Sequence, residues 1–169
     1  MMELRRLGRS RVMVSPLGFG TARMAGLGWR DNLAPQDPSQ AKRDAVRQIQ
    51  AAVELGVTLF DTADNYGQGL SERILGEALR GGRDGIVVVT KFGEDPMPDQ
   101  EDPWSLDAGI IQRKCEASLR RLGFECIDLY LLHRRDYPLE RAPALMEALE
   151  DLVRAGKICY YGWSTDDVE

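Results

Sequence analysis

The sequence predicts a parallel α/β fold, either an open doubly wound sheet or a (β/α) barrel. Three observations point to it. Short apolar strands recur along the 169 residues, amphipathic helical patterns lie between them, and a glycine follows each helical pattern shortly before the next strand. Strands that are apolar on both faces and alternate with helices imply a parallel sheet covered by helices.

The elements follow in order. Glu3 to Leu7 and Val12 to Val14, joined around Gly8-Arg9-Ser10, read as a β-hairpin. Arg5, Arg6, Arg9 and Arg11 then make a small basic patch on its solvated surface. The first parallel strand is Leu17-Gly18-Phe19-Gly20. Ala45, Val46, Ile49, Ala52 and Val53 fall on one face of a helix. Asp37 offers its cap, Pro38 its first position, and Gln40 the reciprocal partner of a capping box. Val57-Thr58-Leu59-Phe60 is the second strand, and Ile74, Leu75, Ala78 and Leu79 mark the helix after it. Ile86-Val87-Val88-Val89 is the third strand. The stretch Gly93 to Ser105, rich in Asp, Glu and Pro, is the longest irregular segment and reads as a lid or a mobile loop. Ile111, Cys115, Leu119 and Leu122 make the third helix, and Ile127 to Leu132 the fourth strand. Leu145, Met146, Leu149, Leu152 and Val153 make the fourth helix, and Ile158 to Gly162 the fifth strand.

Composition narrows the function. With 43% hydrophobic and 29% charged residues, the chain has the make-up of one soluble globular domain. A net charge of −5 argues against a nucleic-acid partner. Cys115, Cys126 and Cys159 are odd in number, form no CxxC and fit no zinc spacing, so no metal site is expected and a reducing cytoplasm is inferred. No apolar run approaches the roughly 18 residues of a membrane span, and Met-Met-Glu-Leu-Arg-Arg does not resemble a signal peptide.

The chemistry sits after the strands. Asp61 follows the second strand, Lys91 comes after Val89-Thr90 at the end of the third, and His133, the single histidine, follows the fourth. In a parallel sheet those ends share one rim, where barrel enzymes carry their catalytic groups. Tyr66 lies five residues after Asp61 in a glycine-flanked loop. A phenol is a weak acid near neutrality, and an adjacent ammonium favours its anion and eases proton donation. The set therefore suits protonation of an alkoxide formed when hydride reaches a carbonyl. The plainer alternative is a salt bridge between Asp61 and Lys91, with His133 a strand-end cap and Tyr66 a packing residue. Gly18-Phe19-Gly20-Thr21 starts like a dinucleotide fingerprint, but its third glycine would fall on Arg23, so a Rossmann site is poorly supported.

These residues carry a resemblance to the aldo/keto reductases. Its pieces are GFGT at 18–21, FDTADNYGQGLSERILGEAL at 60–79, VVTK at 88–91, SLRRLGFECIDLYLLH at 118–133 and LVRAGKICYYGWS at 152–164. The resemblance implies a TIM (β/α)8 barrel with an N-terminal hairpin closing its bottom, and NADPH-dependent reduction of aldehydes or ketones. It implies Tyr66 as proton donor, Lys91 and Asp61 as the groups that tune it, and His133 as the residue that orients the carbonyl of a small-molecule substrate. Gly20, Thr21, Asp61 and Ser164 would lie along the cofactor, with Thr165 where the family commonly has Asn. Trp29 and Trp104 are candidates for the substrate pocket or for plain packing.

A full barrel takes eight βα units in about 250 residues. Residues 1–169 hold about five strands, so the expectation is the N-terminal part of the barrel domain. The last three strands, the nicotinamide-stacking residue and the phosphate-gripping loop lie beyond those five units. The alternative is a truncated, non-catalytic remnant that binds a partner, or a second copy of itself, through open sheet edges.

Overall fold

A computed structural model describes residues 2–24, 37–94, 102 and 104–166. Its element order is β1 (Arg5–Arg6), β2 (Met13–Val14), β3 (Gly18–Gly20), α1 (Pro38–Glu54), β4 (Leu59–Asp61), α2 (Leu70–Ala78), β5 (Val87–Phe92), α3 (Ala108–Leu122), β6 (Ile127–Leu132), α4 (Ala142–Arg154) and β7 (Ile158–Trp163). β1 and β2 pair antiparallel, and β3 to β7 form one sheet in sequence order with every pair parallel. Unbroken order with a helix between successive strands is barrel winding; a doubly wound sheet reverses its strand order at a switch point. The fold is the first part of a (β/α) barrel with its N-terminal hairpin. Among the described residues no helix is long and apolar enough to cross a membrane.

The core lies between the sheet and the helices. Phe60, Val88, Phe92, Tyr130 and Leu132 pack there against Ile49 of α1, Ile74 and Leu75 of α2, Ile111 and Leu119 of α3, and Leu149 of α4. Alternation along each strand assigns the other face to Gly20, Asp61, Lys91, Leu131 and Gly162. β5, the central strand of the five, is buried over all six residues.

The helix ends follow from local chemistry. Asp37 caps α1 by accepting from the Gln40 backbone N–H at 3.0 Å. The reciprocal half of the expected capping box is not made, because Gln40 turns outward to Asp44 and Arg43 on its own helix. Asp107 caps α3 in the same manner at 2.8 Å, and Gly123 ends that helix in the left-handed conformation. The hairpin is fastened to the sheet by a reciprocal pair. The Ser15 N–H donates to Thr58 Oγ1 at 2.7 Å, and the Thr58 N–H donates to Ser15 Oγ at 2.9 Å. The four hairpin arginines are exposed, as a solvated surface requires.

Candidate active site

Backbone hydrogen bonds carry the sheet ladder past the strand ends and onto the rim. Thr21 N–H donates to Asp61 O, Thr62 to Val89 O, Asp64 to Lys91 O, His133 to Phe92 O and Ser164 to Leu132 O, all at 2.7–3.0 Å. Each residue at the top of a strand is thereby fixed by the neighbouring strand, and the rim inherits the stiffness of the sheet.

Four predicted residues come together there. Lys91 Nζ donates to Asp61 Oδ1 at 2.6 Å and to Thr62 O at 2.9 Å, and lies 3.4 Å from the Tyr66 hydroxyl. The same ammonium stands 5.0 Å from the centre of the Tyr66 ring. The Lys91 side chain is only 7% exposed, whereas Asp61 is 41% exposed. The ion pair thus has a buried cation and a half-wet anion. The His133 ring meets the Tyr66 ring edge-on, with centroids 5.9 Å apart and planes at 82°.

Burial holds the His133 pKa below its ordinary value, against the nearby Glu94 carboxylate, which raises it; Lys91 adds to the lowering. Its Nδ1 lies 3.1 Å from Glu94 Oε2 without hydrogen-bond geometry. That oxygen accepts instead from Asn65 Nδ2 at 2.7 Å. The balance favours the neutral imidazole.

The other predicted residues divide. Gly20 is exposed beside Asp61, its partner in the β3–β4 register, and a Cβ there would meet no atom within 4 Å. That open surface could accept a flat ligand at the rim. Thr21 is fully buried, and its hydroxyl donates to Asp61 O at 3.0 Å and accepts from Ser71 Oγ at 2.6 Å. Ser71 Oγ in turn lies 2.9 Å from Thr62 Oγ1. The Thr21 side chain therefore ties β3 to β4 and α2. Ser164 is half-buried at the end of β7, and Thr165 beyond it is exposed. Trp29 lies outside the described residues. Trp104 stacks under the Arg134 guanidinium at 4.1 Å, and the carbonyl of Arg134 accepts from Trp163 Nε1 at 2.7 Å.

Three further groups support the rim and have no linear signature. Glu94 lies beside His133 and is held by Asn65, as above. Glu72, fully buried in α2, accepts from Thr90 Oγ1 at 2.7 Å and from Arg121 Nε at 2.5 Å. That carboxylate joins the helix after the Tyr66 loop to the strand that bears Lys91. The Arg121 side chain crosses Gly69, where a Cβ would lie 2.4 Å from its Cδ, so Gly69 is fixed by this close approach and by its φ of +80°. Asp64 is 9% exposed, lies 3.4 Å from Lys114 Nζ, and keeps Oδ1 without a hydrogen-bond partner. Burial pushes its pKa up to about 6, with Lys114 opposing.

Comparison with known proteins shows the family. The family model of the Aldo/keto reductase family matches residues 16–169. The methylglyoxal reductase YeaE of Escherichia coli is 39% identical over 133 residues, which cover 78% of this chain and 42% of that protein. An aldo-keto reductase from Bacillus halodurans, in its holo form, superposes with a TM-score of 0.74 at 35% identity, covering 98% of this chain and 51% of the other. One from Klebsiella pneumoniae in complex with NADPH gives a TM-score of 0.71 at 35% identity, covering 92% and 47%. The chain thus spans about half the length of the relatives it matches.

Proposed function

The chain belongs to the aldo/keto reductase family, and from that premise we propose that it reduces an aldehyde or ketone to an alcohol, with NADPH as cofactor. One observation carries the reading: the buried Lys91 ammonium reaches Asp61 at 2.6 Å and the Tyr66 hydroxyl at 3.4 Å on the rim that also bears His133. NADPH, when bound, supplies the hydride. Gly20 would offer it open surface, Ser164 and Thr165 would hold it at the end of β7, and Thr21 acts by fixing the backbone of Asp61.

The side chains manage the proton. Tyr66 donates from its hydroxyl to the substrate oxygen as that oxygen gains charge. Lys91 stabilises the phenolate left behind, an interaction strengthened by the low exposure of the ammonium. Asp61 holds Lys91 in place. His133, neutral, orients the substrate oxygen beside the phenol without competing as a second acid. The soluble make-up of the sequence fits work in the cytoplasm.

The test is NADPH consumption by the purified chain on addition of a carbonyl. Methylglyoxal, named in the Escherichia coli relative, is the first substrate to try. Carbonyl-dependent oxidation supports the proposal; bound cofactor that no carbonyl in a broad panel consumes contradicts it.

A second reading rests on a different observation. Among the described residues β3 and β7 each pair on one side only, and Leu17 and Tyr160 stay exposed beside them. A fragment that binds a partner or a second copy through those edges would leave NADPH fluorescence unchanged on titration and would sediment as a complex. A monomer that binds NADPH removes this reading.

A further inference from the structure

Cys126 and Cys159 take no part in the rim chemistry. Cys126 lies just before β6, Cys159 is the second residue of β7, and Ile127 pairs with Ile158 between them. Their Sγ atoms are 3.3 Å apart and unbonded. A disulfide is about 2.05 Å long, so closure asks the sulfurs to approach by about 1.2 Å, a side-chain adjustment. Cys159 is exposed and Cys126 half-buried. The Cys126 segment is anchored, because Arg83 donates to Cys126 O at 2.9 Å and to Asp128 Oδ2 at 2.5 Å while its guanidinium covers the Phe124 ring. The remaining cysteine, Cys115, is fully buried in α3 and does not compete.

We propose that Cys126 and Cys159 form a reversible oxidation site that closes to a disulfide by exchange with a low-molecular-weight disulfide. The exposed Cys159 thiolate attacks one sulfur of the small disulfide, whose S–S bond breaks and releases one thiolate. Cys126 then gives up its proton and attacks Cys159 Sγ. The mixed S–S bond breaks and the second small thiolate leaves. The two protein thiols lose two electrons in total, and the small disulfide is reduced to two thiols. Burial and the neighbouring Cys159 push the Cys126 thiol up to about 12 while both thiols are free. The site lies at the start of β6 and β7, roughly 20 Å along the strands from His133 and Ser164. Oxidation therefore ties β7 to β6 without touching the rim.

The test incubates the chain with oxidised glutathione and follows thiol titre, mass and peptide map. The expected product has lost two of the three thiols, is lighter by about 2 Da, and links the segments carrying Cys126 and Cys159. Its urea midpoint rises and returns on reduction. Cys126→Ser stops at a glutathione adduct on Cys159, and Cys159→Ser stays unmodified over the same time. A wild-type chain that stops at the adduct, keeps all three thiols, links through Cys115 or cross-links to a second copy overturns the proposal.

Discussion

Replacing Asp64 with Asn is predicted to stabilise the protein, by an amount that depends on pH. Asp64 opens the turn that carries Tyr66, its N–H donates to Lys91 O, and its carboxylate is buried with one oxygen unpartnered. Its pKa rises from 3.8 to about 6 on folding. The folded state therefore binds the proton more tightly, and stability falls as pH rises through the window between those values. Fully ionised, the group opposes folding by about 3 kcal/mol; near pH 5, where ionisation is partial, the figure is about 1.5 kcal/mol. Asn keeps the shape of the protonated acid and cannot ionise. Urea unfolding of both proteins should show the variant more stable by about 3 kcal/mol near pH 8 and by about half that near pH 5. Acid destabilisation through His133 is common to both proteins and cancels in the difference. A gap independent of pH would mean that the contact with Lys114 cancels burial, and a variant less stable at both values would mean that the contact is worth more than the burial costs; either refutes the reasoning.

The single histidine gives one titrating imidazole signal by NMR. Its midpoint should lie below 6.5, and fall further in Glu94→Gln, because burial outweighs Glu94. Since the folded value is the lower one, His133 costs stability as pH drops from 6.5 through that midpoint; a midpoint above 6.5 contradicts the burial argument. Asp61→Asn should cost about 2 kcal/mol, and more than Lys91→Met, because it leaves the buried ammonium unpaired whereas Lys91→Met leaves a half-exposed carboxylate. Equal urea midpoints for the two variants would contradict that asymmetry. Gly76→Ala should destabilise by at least about 2 kcal/mol despite the better helix propensity of Ala, since its Cβ would lie 2.1 Å from the Leu122 carbonyl oxygen where α2 meets α3. An unchanged urea midpoint would show that the two helices separate readily.

The fold was legible because a period of 3.6 alternating with short apolar runs leaves few architectures. β6 falls where the run Ile127–Leu132 predicts it. β5 instead begins one residue later and runs on to Phe92, because Thr90 and Lys91, polar in sequence, are held in the ladder by Tyr130 and Leu131. The site was legible to the extent that strand ends converge: Asp61, Lys91 and His133 declare themselves by following apolar strands. Glu94 did not, since it reaches His133 only through the turn at Gly93. Glu72 and Arg121, 49 residues apart, meet only because α2 and α3 pack closely. The Thr21 hydroxyl faces the interior, a direction that a motif match does not carry.

The measurement that bears most directly on the account is single-turnover reduction of a carbonyl by the NADPH complex, for the wild-type chain and for Tyr66→Phe. The cofactor Kd, followed by NADPH fluorescence, should be unchanged, because the hydroxyl is assigned to the proton and not to holding the cofactor. The rate should fall by about 10²–10⁴-fold, the usual contribution of a positioned acid. Equal rates in the two proteins would remove Tyr66 from the chemistry, and with it the meaning given to the Asp61–Lys91–His133 rim.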